Sequence, residues 1–127
     1  MSDNANIQGT WIPIKAELSG EAAPTLALEQ IEVELSPNGY AVRFGGTNSD
    51  EGTYSLALGT PHKTITLLGI KGPNQDKTIP AIYQLNGDRL RICYALDDQG
   101  LPDEFRTHPG RKHYLVTYKR KTSSTLS

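Results

Sequence analysis

The chain has 127 residues but only one cysteine, Cys93, so no disulfide can form within it. Cys93 lies in an apolar, strand-like run, where we expect a packed and reduced thiol rather than a reactive one. The chain also lacks any run that approaches the ~18 consecutive apolar residues of a transmembrane helix. These absences indicate a fold that is stabilised by its own hydrophobic core.

The N-terminal sequence, Met-Ser-Asp-Asn-Ala-Asn, lacks the basic region and the apolar run of a secretory signal peptide. We therefore predict a soluble protein located in the cytoplasm. A chain of this length fits one domain and buries roughly two-thirds of its unfolded surface. We predict that residues 1–127 form a single domain, with residues 1–8 and 121–127 as frayed tails.

Basic residues are scarce in the first half of the chain and concentrated at its end. Residues 1–60 hold eight acidic and two basic residues, whereas residues 105–127 hold six basic residues and no acidic one; the net charge is −1. We expect the first and last strands to lie side by side and to neutralise each other, the alternative being a basic edge that meets an acidic partner. Because nucleic-acid-binding domains are basic overall, we predict no nucleic-acid partner, and we also predict no membrane partner.

The clearest local signal is a β-hairpin within residues 79–94. Two runs rich in Ile, Leu and Tyr are separated by Asn86-Gly87, the dipeptide most typical of a two-residue type I′ turn. Such a turn requires positive φ at both central residues, which Asn tolerates and Gly adopts freely. We expect the rest of the chain to flank this pair of strands.

Six further runs alternate apolar and polar residues with the period of two that indicates half-buried strands. They are residues 9–18, 31–35, 40–44, 52–58, 63–68 and 114–120. With the hairpin they make about eight short strands, an all-β pattern that either closes into a barrel or folds into a sandwich. We predict an antiparallel up-and-down β-barrel, because closure removes exposed edges. The pattern of residues 24–30, which begins with Pro24, predicts one short helix near the N-terminus.

The first strand carries a proline and leaves its inward face ambiguous. Pro13 cannot donate a hydrogen bond to a neighbouring strand, so we expect a β-bulge or a free edge beside it. The aliphatic residues of this strand, among them Ile12 and Ile14, alternate onto the face opposite Trp11 unless such a bulge shifts the register. Both orientations of Trp11 stay open at this point.

No pattern in the sequence points to catalysis or to a metal. His108 and His113, with Asp103 and Glu104 nearby, match no zinc-binding spacing, and Asp97-Asp98-Gln99-Gly100 lacks the ligand pattern of a calcium-binding loop. There is no Gly-x-Ser-x-Gly motif and no phosphate-binding glycine loop. We predict no catalytic residues, no metal, no cofactor and no enzymatic activity.

The six tyrosines all fall on predicted strands, where each can pack its ring and offer a hydroxyl. If several point inward, they line an apolar cavity with a few polar groups, as in ligand-binding pockets. The candidate ligand-binding residues are Tyr40, Tyr54, Tyr83, Tyr94, Tyr114 and Tyr118. The alternative, which the short chain favours, is that the tyrosines fill a solidly packed barrel.

Gly9-Thr10-Trp11 at the start of the first strand and Arg120 at the end of the last resemble the signature of the lipocalins and the wider calycin group. In those barrels the tryptophan closes one end and the late arginine packs across it. The resemblance therefore implies that Trp11 and Arg120 close the barrel. Such a pair is physically sensible, because a guanidinium stacks favourably on an indole face.

A closer resemblance covers most of the chain and is to an uncharacterised bacterial lipocalin-like domain family, first catalogued from planctomycete proteins. The segments that resemble it are Gln8-Gly9-Thr10-Trp11, Glu51-Gly52-Thr53-Tyr54, Ile82-Tyr83-Gln84-Leu85-Asn86-Gly87-Asp88, Leu90-Arg91-Ile92-Cys93-Tyr94-Ala95 and Pro102-Asp103-Glu104-Phe105. The implied fold is a small β-barrel without an agreed activity. Many members carry a secretory leader, which we do not expect for this chain.

Together these patterns predict a binding module rather than an enzyme. Its ligand is expected to be a small apolar or amphipathic molecule, held in the barrel or at its mouth. The alternative is a protein-interaction module, such as a bacterial immunity or inhibitor protein, that acts through its outer surface and the loops at residues 69–78 and 97–112. A small hydrolase or isomerase is the least favoured hypothesis, and the oligomeric state is left open.

Overall fold

A computed structural model of the chain describes residues 3–24, 28–59, 62–96 and 100–121. These residues form one helical turn and nine strands, numbered here in chain order. They are α1 (Asp3–Asn6), β1 (Gly9–Leu18), β2 (Glu21–Ala22), β3 (Ile31–Leu35), β4 (Gly39–Phe44), β5 (Thr47–Ala57), β6 (Lys63–Lys71), β7 (Thr78–Asn86), β8 (Arg89–Ala95) and β9 (His113–Arg120).

Eight of these strands close into an antiparallel barrel. From β3 to β9 each strand pairs with the next along the chain, and β1 pairs with both β3 and β9. The two-residue β2 pairs only with the end of β1. This confirms the predicted all-β antiparallel barrel of about eight strands. It also confirms that the first and last strands lie side by side, and the ion pair of Lys121 with Glu32 (2.7 Å) links the basic end of the chain to the acidic β3.

The predicted bulge beside Pro13 is present and decides which face of β1 points inward. Pro13 pairs with Tyr118 and Lys15 with Thr117, so Ile14 is the extra residue and is 41% exposed. Trp11 and Pro13 are buried before the bulge, and Ala16 is buried after it. One unpaired residue therefore lets the indole and the later part of the strand face the same interior.

The β7–β8 hairpin is present, but its turn lies one residue later than predicted. Asn86 pairs with Arg89, so the two central residues are Gly87 and Asp88. Gly87 has a φ of +62°, and neither Asn86 nor Asp88 has a positive φ. These φ signs fit a type II′ turn, in which only the first central residue needs positive φ.

The N-terminal segment differs from the expected frayed tail. The Ile7 side chain is fully buried, and the Asp3 carboxylate accepts hydrogen bonds from Lys63 Nζ and from the Tyr83 hydroxyl, both at 2.8 Å. These contacts hold α1 across the end of the barrel at which β1 begins. The predicted helix of residues 24–30 includes residues 25–27, which lie outside the described residues, as do residues 122–127 of the predicted C-terminal tail.

A second buried layer lies outside the barrel. Cys93 and Ile82 face each other across β7 and β8 and are almost fully buried, yet they do not belong to the interior cluster. The segment of residues 100–112 lies against Cys93: the Cys93 thiol lies 4.0 Å from the Arg106 carbonyl, and Thr107 donates to a Glu17 carboxylate oxygen at 2.8 Å. This segment thereby connects β8 to β1 over the outer face of the sheet.

Candidate functional site

The barrel interior is packed at one end and open at the other. Toward α1 it is filled by Trp11, Ile65 and Leu90, each at most 1% exposed. Toward the other end lies a cavity of about 300 Å³. Among the described residues, its wall is formed by Pro13, Ile31, Val33, Tyr40, Val42, Asp50, Leu67, Asn74, Ile79, Tyr94, Leu96, Tyr114, Val116 and Tyr118. The solidly packed interior that the chain length favoured therefore holds for only one end of the barrel.

Four of the six candidate tyrosines line this cavity: Tyr40, Tyr94, Tyr114 and Tyr118. The hydroxyls of Tyr94 and Tyr118 are hydrogen-bonded to each other at 2.8 Å, and the rings of Tyr94 and Tyr114 stack with centroids 5.9 Å apart. Burial raises the pKa of all four phenols. The cavity is thus lined by aromatic rings and neutral hydroxyls from β4, β8 and β9.

The other two candidate tyrosines do not line the cavity. The Tyr54 hydroxyl donates to the Ser36 carbonyl at 2.6 Å, and the Tyr83 hydroxyl donates to the Asp3 carboxylate at 2.8 Å. Both hydroxyls are thereby engaged toward the end that α1 covers. Strand position alone did not separate these two residues from the other four, because all six share the inward face.

Asp50 is a cavity residue that the sequence analysis missed. It lies on β5, which begins at Thr47, whereas the predicted strand began only at residue 52. Asn74 donates to Asp50 Oδ2 at 2.8 Å, and Oδ1 is buried without a hydrogen-bond partner. A signal was available: Asp50 and Gly52 share the alternation of Tyr54, so extending that strand backward places Asp50 on the inward face.

Gly52 gives Tyr40 the room to reach the cavity. A Cβ added at Gly52 would lie 2.6 Å from Cε2 of Tyr40 and 2.1 Å from the Leu68 carbonyl oxygen. No side chain fits at that position without displacing the backbone or the Tyr40 ring. The glycine therefore sets the position of one aromatic wall of the cavity.

Trp11 and Arg120 meet at the end of the barrel opposite the cavity. The Arg120 guanidinium carbon lies 4.3 Å from the centroid of the indole, and the indole Nε1 donates to the Ile7 carbonyl at 2.8 Å. Arg120 also donates to the carbonyls of Gln8 and Asn6, both at 2.7 Å. The pair thus joins the first and last strands to the segment that covers this end.

The remaining candidates for chemistry lie away from the cavity. His108 faces Glu104 at 3.8 Å on the surface, and His113 is buried with its Nε2 2.8 Å from Arg111. Burial raises the pKa of the Cys93 thiol to about 11, which keeps it protonated at neutral pH. Within the described residues no group of three or more His, Cys, Asp or Glu side chains could hold a metal ion. Residues 97–99 of the acidic loop lie outside the described part of the chain.

Comparison of the chain with protein-family models, with curated proteins and with solved structures found no match. In the part of the chain that the structure describes, no helix is long and apolar enough to cross a membrane. The lipocalin-like family therefore stays a prediction from the sequence, and function has to be argued from the cavity.

Proposed function

We propose that the protein is a non-enzymatic, lipocalin-like binding module that holds a small amphipathic ligand in its barrel cavity. The observation that carries this proposal is the cavity itself. It lies inside the barrel, and most of its wall is contributed by apolar side chains and by tyrosine rings. Concave, mainly apolar sites with a few polar groups are what small-molecule ligands require.

The size and the polarity of the cavity narrow the ligand class. A volume of about 300 Å³ is at the lower end of the range for small-molecule pockets, roughly 300–1,000 Å³. The polar groups in its wall are few: tyrosine hydroxyls, the Asn74 amide and the Asp50 carboxylate. A compact ligand with an apolar body and one polar group matches this wall, because burying further polar groups without partners would be unfavourable.

A nuclear magnetic resonance titration with 1-octanol tests the proposal. We expect amide and methyl shifts centred on cavity residues such as Val116 and Tyr94. Val42 lines the cavity, and Val42→Trp should weaken binding at least about tenfold by filling it, with Val42→Phe as a milder variant. The control is Thr53→Trp, since Thr53 is exposed on β5 and does not line the cavity.

The titration also has a clear contradicting result. A folded protein that shows no saturable shifts with 1-octanol or with octyl probes that carry a charged end group would exclude the proposal. Binding that Val42→Trp and Thr53→Trp weaken equally would also contradict it, because the ligand would then lie outside the cavity.

A protein-interaction module is the second candidate, and a group of exposed apolar side chains favours it. Leu18, Phe44 and Leu96 are 45%, 54% and 45% exposed. They lie at or just beyond the ends of β1, β4 and β8, which run in the same direction in the antiparallel barrel. They therefore stand at one rim, the open end, where exposed apolar groups are typical of contact surfaces.

A further inference from the structure

Asp50 is the one charged residue in the wall of the cavity as the structure describes it. The other wall residues are apolar side chains, tyrosines and Asn74. No lysine, arginine or histidine among the described residues lines this space; Lys77 and Lys112 line a neighbouring hollow that shares Asn74, Ile79 and Leu96 with the cavity. A cavity wall with one negative residue favours cationic ligands over anionic ones.

The partners of Asp50 leave its charge largely uncompensated. Asn74, a neutral amide, donates to Oδ2 at 2.8 Å, and Oδ1 has no partner. Oδ1 lies against the backbone of Gly72, where an added Cβ would be 3.0 Å from it. Asp50 is half-buried, and a carboxylate that is partly withdrawn from water with one neutral hydrogen bond is stabilised when a positive charge approaches it.

The charge of Asp50 affects the pKa of at least one tyrosine in the cavity wall. Burial and, second to it, the nearby Asp50 carboxylate raise the pKa of the Tyr40 phenol to about 12. The wall also presents the rings of Tyr94, Tyr114 and Tyr118, whose faces attract cations. The carboxylate and the aromatic faces therefore favour the same kind of ligand group.

We propose that the ligand of the cavity carries an organic ammonium group, which pairs with Asp50 while its apolar body packs against the tyrosines and aliphatic side chains. This proposal rests on the proposed function, because it names the ligand class of the same cavity. Carboxylate ligands, such as fatty acids, are disfavoured by like-charge repulsion at the wall. The attraction acts mainly through charge, since Oδ1 is covered and Oδ2 is already bonded.

Three probes with one alkyl chain and different polar groups test the proposal: octylammonium, 1-octanol and octanoate. Dissociation constants are measured by calorimetry at pH 7 and low salt, where charge effects are largest. We expect octylammonium to bind at least about tenfold more tightly than 1-octanol, and octanoate to bind most weakly. In Asp50→Asn the preference for octylammonium over 1-octanol should fall to about twofold or less.

The matched control removes the same charge elsewhere. Asp103 is exposed and does not line the cavity, so Asp103→Asn should keep the full preference for octylammonium. The proposed charge selection is wrong if octylammonium binds no more tightly than 1-octanol. It is also wrong if Asp50→Asn still binds octylammonium at least about tenfold more tightly than 1-octanol. In both cases the cavity remains a binding site. If none of the three probes binds to the folded protein, both proposals fail.

Discussion

Trp11 shows how one side chain can join several elements. Its indole is fully buried, donates to the Ile7 carbonyl at 2.8 Å and lies beneath the Arg120 guanidinium. Arg120 in turn binds the backbone of the segment before β1 and, at 3.1 Å, the Asp88 carboxylate of the β7–β8 turn. The indole therefore supports the closure of the barrel as well as its core.

We expect Trp11→Ala to lower the free energy of unfolding by about 3–5 kcal/mol, because it opens a cavity beneath Arg120 and removes a buried ring. Urea unfolding followed by circular dichroism measures the change. The control is Phe44→Ala, which removes an aromatic ring that is 54% exposed and should change stability by less than about 1 kcal/mol. Equal losses in the two variants would show that Trp11 has no special role.

Among the strands, the β7–β8 hairpin gives the sharpest comparison between sequence and structure. The two runs pair as predicted, yet the turn uses Gly87 and Asp88 rather than Asn86 and Gly87. Only Gly87 has a positive φ, and a Cβ built on it meets no atom within 4 Å. Any loss of stability caused by a side chain at Gly87 therefore comes from backbone conformation alone.

Gly87→Val should lower the free energy of unfolding by about 1–3 kcal/mol, since a β-branched residue is strained at positive φ. Asn86→Val is the matched variant, because Asn86 is an exposed strand residue without positive φ and should tolerate valine. Thermal or urea unfolding of both variants separates the two turn assignments. A large loss in Asn86→Val would support the type I′ turn instead.

Alternation along strands predicts which residues face inward but not how completely they fill the interior. Tyr83 and Tyr94 both belong to predicted strands and both face the interior, although only Tyr94 reaches the cavity. Alternation also left the orientation of the Trp11 side chain undecided, because a single bulged residue, Ile14, switches which alternate residues of β1 point inward. Asp50 was missed because the polar residues 47–50 were left out of the predicted strand, whereas pairing with β4 and β6 extends β5 back over them.

For the molecule as a whole, burial of the tyrosines couples stability to alkaline pH. Burial raises the pKa of all six phenols, and it raises the pKa of the Cys93 thiol to about 11. The folded state therefore holds these protons more tightly than the unfolded chain does. The stability that they contribute is fully present below the ordinary pKa values and is lost as pH rises through the raised ones.

We expect the free energy of unfolding to change little between pH 7 and about 8.5, and to fall increasingly steeply above about pH 10. Each proton retained only by the folded state makes the free energy of unfolding fall by a further ~1.4 kcal/mol per pH unit.

Urea unfolding at a series of pH values measures this dependence of the free energy of unfolding on pH. Tyr118→Phe removes one such phenol and should give a shallower fall than the parent chain, whereas Lys119→Gln, an exposed neighbour on β9, should leave the tyrosine contribution in place. A constant or rising stability between pH 10 and 11.5 would contradict the burial of the tyrosines, and with it the closed barrel that excludes water from them.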